Sequence, residues 1–423
     1  MSRTAGAERD VLGRERCSNG MPDFFRGRGG RHLSQATKGD SYEILAVLRV
    51  ACRVFRPYLL TGSDLRASDN RKCNDCVRLR LAMHILERLK MKALYLETTD
   101  GPESVYVKDV ETPVPGPGEV RIAIKAASVN HRELFITHGQ YPGMTVPTTL
   151  GCDGAGVVDM IGDGVTGAKV GDEVVLYPAR NWGSNRHAPA ADFGLLGMPF
   201  NGTIAEYICV PVDNLAPKPA GLSFEEAAAI PLTGLTSWRA LMFKGQLKAG
   251  ETLLISGVGG GVATFGLAFA VAKGANVYVT GESEEILARA KDMGAKGGLL
   301  FTDPEWRRQV GKLTGGIDVV LDGAPSPSFA NYVRAINPGA RIVIYGSTAG
   351  NEVKFNATDI FLKSASIVGS QVGDPQDFKE MLAFVGEHKI KPVVEKTFPL
   401  IEAKEALLHL KDQHKFGKIV VTV

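Results

Sequence analysis

The feature that most constrains this chain is a glycine run set between an apolar strand and an apolar helix. Thr252–Ser256 (TLLIS) reads as a buried strand. Gly257-Val258-Gly259-Gly260-Gly261-Val262 follows at once, and the helical run ATFGLAFAVAK comes next. Glycine is needed where a turn demands positive φ and where a side chain would bar the backbone from a pyrophosphate. The helix start then offers unpaired N–H groups and a partial positive charge to that anion. A second strand, Asn276–Thr280, begins about 20 residues after the first ends, the spacing of a dinucleotide-binding βαβ unit. Without those flanks the run would read as a flexible turn; with them it reads as a phosphate cradle.

Further strand-like runs lie at Asp318–Asp322, Arg341–Tyr345 and Ser366–Ser370, with helical runs between. Apolar strands alternating with helices predict a doubly wound parallel sheet over residues 222–371. Residues 91–221 have another rhythm, with short strands such as VRIAIKAA, GAGVVDMIG, DEVVLYP and TIAEYICVP between Gly/Pro turns. That pattern predicts a compact β-barrel-like domain. After Asp374 come a helix, the strand PVVEKTF, another helix and the strand KIVVTV, so residues 372–423 are expected to return and complete the first domain.

The first 90 residues differ from the rest. They hold 18 Lys and Arg against 10 Asp and Glu in a chain whose total charge is only +3, so the remainder is net acidic. That remainder offers no basic surface for nucleic acid. Residues 1–90 also lack a sustained period, and they read as a disordered extension ahead of a natural initiator at Met91. A mitochondrial transit peptide is the rival reading, against which Glu8, Asp10 and Glu15 count. Cys73-x-x-Cys76 has no second pair to make a zinc site. Only Cys152 and Cys209 fall beyond residue 90, no framework of disulfides, so a reducing, cytoplasmic setting is expected. No apolar run is long enough to span a bilayer.

From residue 91 onward the chain resembles the medium-chain dehydrogenase/reductase superfamily. The resemblance rests on Pro115-Gly-Pro-Gly-Glu-Val120, Gly151-Cys-Asp-Gly-Ala-Gly156, Ala168-Lys-Val-Gly-Asp-Glu-Val174 and Gly202-Thr-Ile-Ala-Glu-Tyr207. It continues through Pro231-Leu-Thr-Gly-Leu-Thr236, the cradle and Phe416-Gly-Lys-Ile419. It implies an α/β protein with a GroES-like β-barrel catalytic domain, a Rossmann domain and a substrate cleft between them. It also implies cofactor contacts from Thr233, Gly257, Gly259, Gly260, Gly261, Val262 and Gly346, and homodimers pairing near Ser366–Ser370.

By the same resemblance, zinc relatives would hold their metal at Asn130, Cys152 and the Leu232-Thr233 region, with an acid at Asp153. Zinc wants three N, S or O ligands and an open position, and these residues do not supply them, so no zinc is expected. The resemblance is strongest to the quinone-oxidoreductase and enoyl-reductase branch, through Asn130 and the run Gly139-Gln-Tyr141-Pro142. Hydride added to a conjugated carbonyl leaves negative charge on oxygen, which without zinc needs a hydrogen-bond donor. Tyr141 is the candidate, with Asn130 orienting the oxygen or the nicotinamide ribose; the bland alternative is a Tyr that packs a turn. At the end of the second strand, family register puts Gly281 where NAD-specific sites carry an acid. That leaves room for a 2′-phosphate with Ser283 as donor, so NADPH is expected; Glu282, one residue on, keeps NADH open. The function expected is reduction of a quinone or α,β-unsaturated carbonyl. A zinc-type alcohol dehydrogenase and a non-catalytic nucleotide-binding protein are the alternatives.

Overall fold

The computed structural model describes residues 90–411 and 415–423. The extension expected over residues 1–90, with Cys73 and Cys76, lies outside the described residues apart from Lys90.

Six parallel strands form one sheet: β1 (Thr252–Ser256), β2 (Asn276–Gly281), β3 (Gly297–Leu300), β4 (Ile317–Asp322), β5 (Ile336–Ile344) and β6 (Ser366–Gly369). Their order across the sheet is β3-β2-β1-β4-β5-β6. The order reverses between β1 and β4, and ligands of such sheets bind beyond the carboxyl ends of the strands at that point. The glycine cradle leaves β1 there. Sequence periodicity gives no sign of β3, because its first two residues, Gly297 and Gly298, carry no side chain to mark a face. Leu253, Ile255 and Val277 are wholly buried between the helical layers.

The second part of the molecule is antiparallel. Its spine is Glu119–Val129, which pairs with Asp153–Ile161, with Tyr207–Pro211 and with the last strand, Lys418–Thr422. The last strand lies parallel to Val394–Pro399, so the end of the chain sits in the sheet begun by residue 119. Along the spine, burial alternates as far as Lys125, as a half-exposed strand demands. From Ala126 to Val129 every residue is buried. There Ala126 packs with Ala155, Val420 and the alanines of helix Phe224–Ala228.

The helix Pro375–Glu387 buries Phe378, Met381 and Val385 into the same core as β1 and β2. Its N-terminus is capped by Asp374, whose Oδ1 accepts from the Asp377 N–H at 2.7 Å. Asp374 and Asp377 also accept from the Arg186 guanidinium, each at 2.9 Å. Arg239, at the start of a π-helical turn that prolongs helix Pro231–Trp238, donates to Asp377 and to the Arg186 carbonyl. The loop after Ala179 is thereby fastened to both helices. Among the described residues, no helix is long and apolar enough to cross a membrane.

Candidate active site

A cavity of about 630 Å³ opens between the glycine cradle and the antiparallel sheet. Asn130, Tyr141, Thr233, Gly257, Gly259, Gly260, Gly261, Val262 and Gly346 all line it. The cradle is held from below by β2: Thr280 Oγ1 accepts from the Gly257 N–H at 2.8 Å, and the Thr280 carbonyl from the Val258 N–H at 2.7 Å. Helix Gly261–Ala272 then starts on residues that line the cavity, and its first N–H groups have no acceptor within the helix. Gly257, at φ 74°, has open space where a Cβ would point. At Gly261 the need is close approach: a Cβ would lie 2.7 Å from Lys418 Cδ and 3.0 Å from Thr233 Cγ2. These residues fit a dinucleotide pyrophosphate.

Two expected contacts are not brought to the cavity. Gly281 is buried, and a Cβ there would press on Leu287 and Ile286 at 2.9 and 3.1 Å rather than face a ribose. Ser283 is spent as the N-cap of helix Glu284–Asp292, its Oγ accepting from the Ile286 N–H at 3.3 Å. The residue of this stretch that lines the cavity is Glu282. A register argument places the strand end but not the direction each side chain leaves it, and the sharp turn into the helix changes that direction at every residue.

At the floor of the cavity, Asn130, Cys152 and Asp153 do converge. Asn130 Nδ2 lies 2.9 Å from Asp153 Oδ2 and 3.5 Å from Cys152 Sγ. The centre of the group is Lys418, whose ammonium donates to Asn130 Oδ1, to the Val129 carbonyl at 3.1 Å and to Asp153 Oδ2 at 3.2 Å. Asp153 also accepts from Ser128 Oγ at 2.8 Å and, on its other oxygen, from the Leu232 N–H at 2.7 Å. Both charged side chains are almost wholly buried. Burial pushes the Cys152 thiol well up, so it is neutral at ordinary pH. A carboxamide, a single thiol and a carboxylate already committed to an ammonium do not supply the three available ligands that catalytic zinc needs. Among the described residues, no group of three or more His, Cys, Asp and Glu side chains is placed to hold a metal. Asn130 therefore sits in the cavity wall as expected, but its amide is tied into this network.

Three more side chains matter here: His131, which the sequence offers only as a stray candidate for a metal ligand, and Arg132 and Glu133, which it does not single out. His131 lines the cavity; desolvation, then the Lys415 and Lys418 ammonium groups, push its imidazole down to about 4, so it is neutral at ordinary pH. Arg132 and Glu133 form a buried ion pair at 3.0 Å. Arg132 also lines the cavity, with its guanidinium carbon 4.7 Å from the centre of the Tyr141 ring. In the sequence, Arg132 and Glu133 are only letters of the run Val129-Asn-His-Arg-Glu133, with nothing local to show that they pair in a buried site.

Comparison with known proteins agrees with this architecture. Residues 116–220 match the alcohol dehydrogenase GroES-like domain, and residues 261–387 match the zinc-binding dehydrogenase family. A zinc-type alcohol dehydrogenase-like protein of Leptosphaeria maculans is 36% identical over 334 residues, 74% of this chain and 93% of that protein. This chain belongs to the medium-chain dehydrogenase/reductase superfamily. It is a nicotinamide-dependent oxidoreductase of that family, with a GroES-like domain and a Rossmann-like parallel sheet. An acryloyl-coenzyme A reductase of Metallosphaera sedula is 31% identical over 326 residues, covering 75% of this chain and 96% of that protein. A crystal structure of an NAD-dependent alcohol dehydrogenase superposes with a TM-score of 0.75 at 39% identity, covering 79% of this chain and 100% of that one.

The Lys418–Asp153 pair generates a direct expectation. Lys418→Met strands a buried carboxylate, which typically costs about 3–5 kcal/mol. Lys418→Met with Asp153→Asn removes both charges and should recover much of that loss in urea denaturation. A double variant no more stable than the single one would show that the pairing does not hold the floor together.

Proposed function

We propose that the chain reduces α,β-unsaturated carbonyl compounds, or quinones, by hydride transfer from NADH and without catalytic zinc. The observation that carries this reading is the pairing of Tyr141 with a floor built on Lys418 and Asp153. Two of the would-be metal positions, Asn130 and Asp153, are committed to an ammonium, and Tyr141 in the cavity wall brings a phenol as hydrogen-bond donor instead.

When bound, the nicotinamide supplies a hydride to the β-carbon of the conjugated carbonyl compound. Negative charge then develops on the substrate oxygen. Tyr141 donates a hydrogen bond to that oxygen, and the enolate, once formed, takes a proton from solvent water at its α-carbon to leave the saturated carbonyl compound. Leu195, Leu232 and Val372 line the same cavity and keep water from the reacting carbon. The likeness to a protein named for reducing acryloyl-coenzyme A, a conjugated thioester, supports this class of substrate.

The choice of dinucleotide turns on Glu282. The sequence expectation of NADPH rested on Gly281 and Ser283, neither of which lines the cavity. A carboxylate at the end of β2 accepts from a ribose 2′-OH and repels a 2′-phosphate, which favours NADH.

Two measurements test the reading. Tyr141→Phe keeps the ring and removes the donor, so turnover of an enone such as 2-cyclohexenone should fall about 10²–10³-fold. NADH affinity, followed by fluorescence, should hold; unchanged turnover would return Tyr141 to a packing role. Glu282→Ser should raise affinity for NADPH relative to NADH by at least tenfold, since a close like-charge contact costs several kcal/mol. A wild type that already prefers NADPH would overturn the assignment of Glu282.

A further inference from the structure

The donor assigned to Tyr141 has a charged neighbour that the chemistry above leaves unused. Arg132 lies on the short helix His131–Thr137, only 8% exposed. Its guanidinium is fixed from three sides: by Glu133 Oε1 at 3.0 Å, the Leu196 carbonyl at 3.0 Å and the Met198 carbonyl at 3.2 Å. Glu133 is fixed in turn, its Oε2 accepting from the Asn130 N–H at 2.6 Å. The group this scaffold holds over the Tyr141 ring is thus a cation. Burial works against that charge, and the Glu133 carboxylate with the Leu196 and Met198 carbonyls holds it.

Packing alone does not account for the arrangement. Arg132 Nε is buried with no hydrogen-bond partner. An unmet buried donor costs about 1–3 kcal/mol, and an apolar side chain of similar length would avoid that cost. What the guanidinium gains is the face of the Tyr141 ring, and Tyr141 lines the same cavity. A cation over a ring is attracted to its π electrons. That attraction grows as the phenol shares its proton with an oxyanion and electron density rises on the ring. An interaction stronger in the transition state than in the ground state raises kcat and leaves binding largely alone.

We propose that Arg132 is the positioning residue for Tyr141, holding the ring over a fixed positive charge so that its hydroxyl donates more strongly to the substrate oxygen. The proposal rests on the reading of Tyr141 as the donor. Arg132 touches neither hydride nor substrate; it acts through the ring.

The test is a double-mutant cycle with NADH and 2-cyclohexenone. Arg132→Met should lower kcat about 2- to 30-fold, the range of a cation–π contact expressed as a rate. KM and NADH affinity should change less than about twofold, because the interaction matters most in the transition state. Arg132→Lys, which keeps a cation, should recover part of the loss. In a Tyr141→Phe background the further change to Arg132→Met should have no effect on kcat. Should Arg132→Met fail to fold because Glu133 is stranded, Arg132→Met with Glu133→Gln removes both charges and serves in the same cycle. Equal losses in both backgrounds, a change confined to KM, or no loss in kcat would each overturn the proposal. A silent Tyr141→Phe beside a damaging Arg132→Met would remove the donor reading itself and show that Arg132 acts directly.

Discussion

A buried ammonium must be given acceptors for its protons, and the acceptors of Lys418 come from separate strands of the fold. Val129 and Asn130 stand at the end of the antiparallel spine, Asp153 at the start of its neighbour, and Lys418 itself opens the last strand. Asp153 also takes the N–H of Leu232, in the helix that leads toward the parallel sheet. One residue earlier, the Gly417 N–H donates to the Gly259 carbonyl at 2.8 Å, which ties the same segment to the cradle. The return of the chain to the first sheet thus sets the distance between the cradle and the cavity floor. Gly261 follows from the same constraint, since the Lys418 stem occupies the space a Cβ there would need.

The charge balance around this lysine bears on the chemistry. In zinc relatives a divalent cation would polarise the substrate oxygen. Here the positive charge at the floor is consumed by Asp153 and by the Asn130 amide, so it fixes geometry more than it activates substrate. On the proposed reading, electrophilic assistance falls to the other wall, where Tyr141 and Arg132 meet. The two charged pairs, Lys418 with Asp153 and Arg132 with Glu133, flank Asn130 and hold it from both sides, which explains an asparagine whose carboxamide is so fully engaged.

The parts of this arrangement legible in the sequence are those set by the backbone. The cradle could be placed because strand, glycine turn and helix leave local marks, and β1 falls on the expected residues Thr252–Ser256. Asn130, Cys152 and Asp153 could be expected together because ordered motifs fix their register, and they are in contact. What was hidden depends on side-chain direction and on long-range pairing. Gly281 and Ser283 were placed at the correct strand end, yet one turns into the core and the other caps a helix, leaving Glu282 at the wall. Lys418 was visible only as a letter in Phe416-Gly-Lys-Ile, since its partners lie 265 residues away and more. Arg132 and Glu133 look like surface charges until the carbonyls of Leu196 and Met198 close over them.

The central claim is that hydride transfer in this cavity needs a hydrogen-bond-donating side chain and no metal. It is tested most directly by single-turnover transfer from NADH deuterated at the nicotinamide C4 to 2-cyclohexenone, in protein stripped of metal and then supplied with zinc. The account predicts deuterium at the β-carbon of the product, formed at the same rate with and without zinc. Transfer that appears only when zinc is added, in proportion to zinc bound, would contradict it.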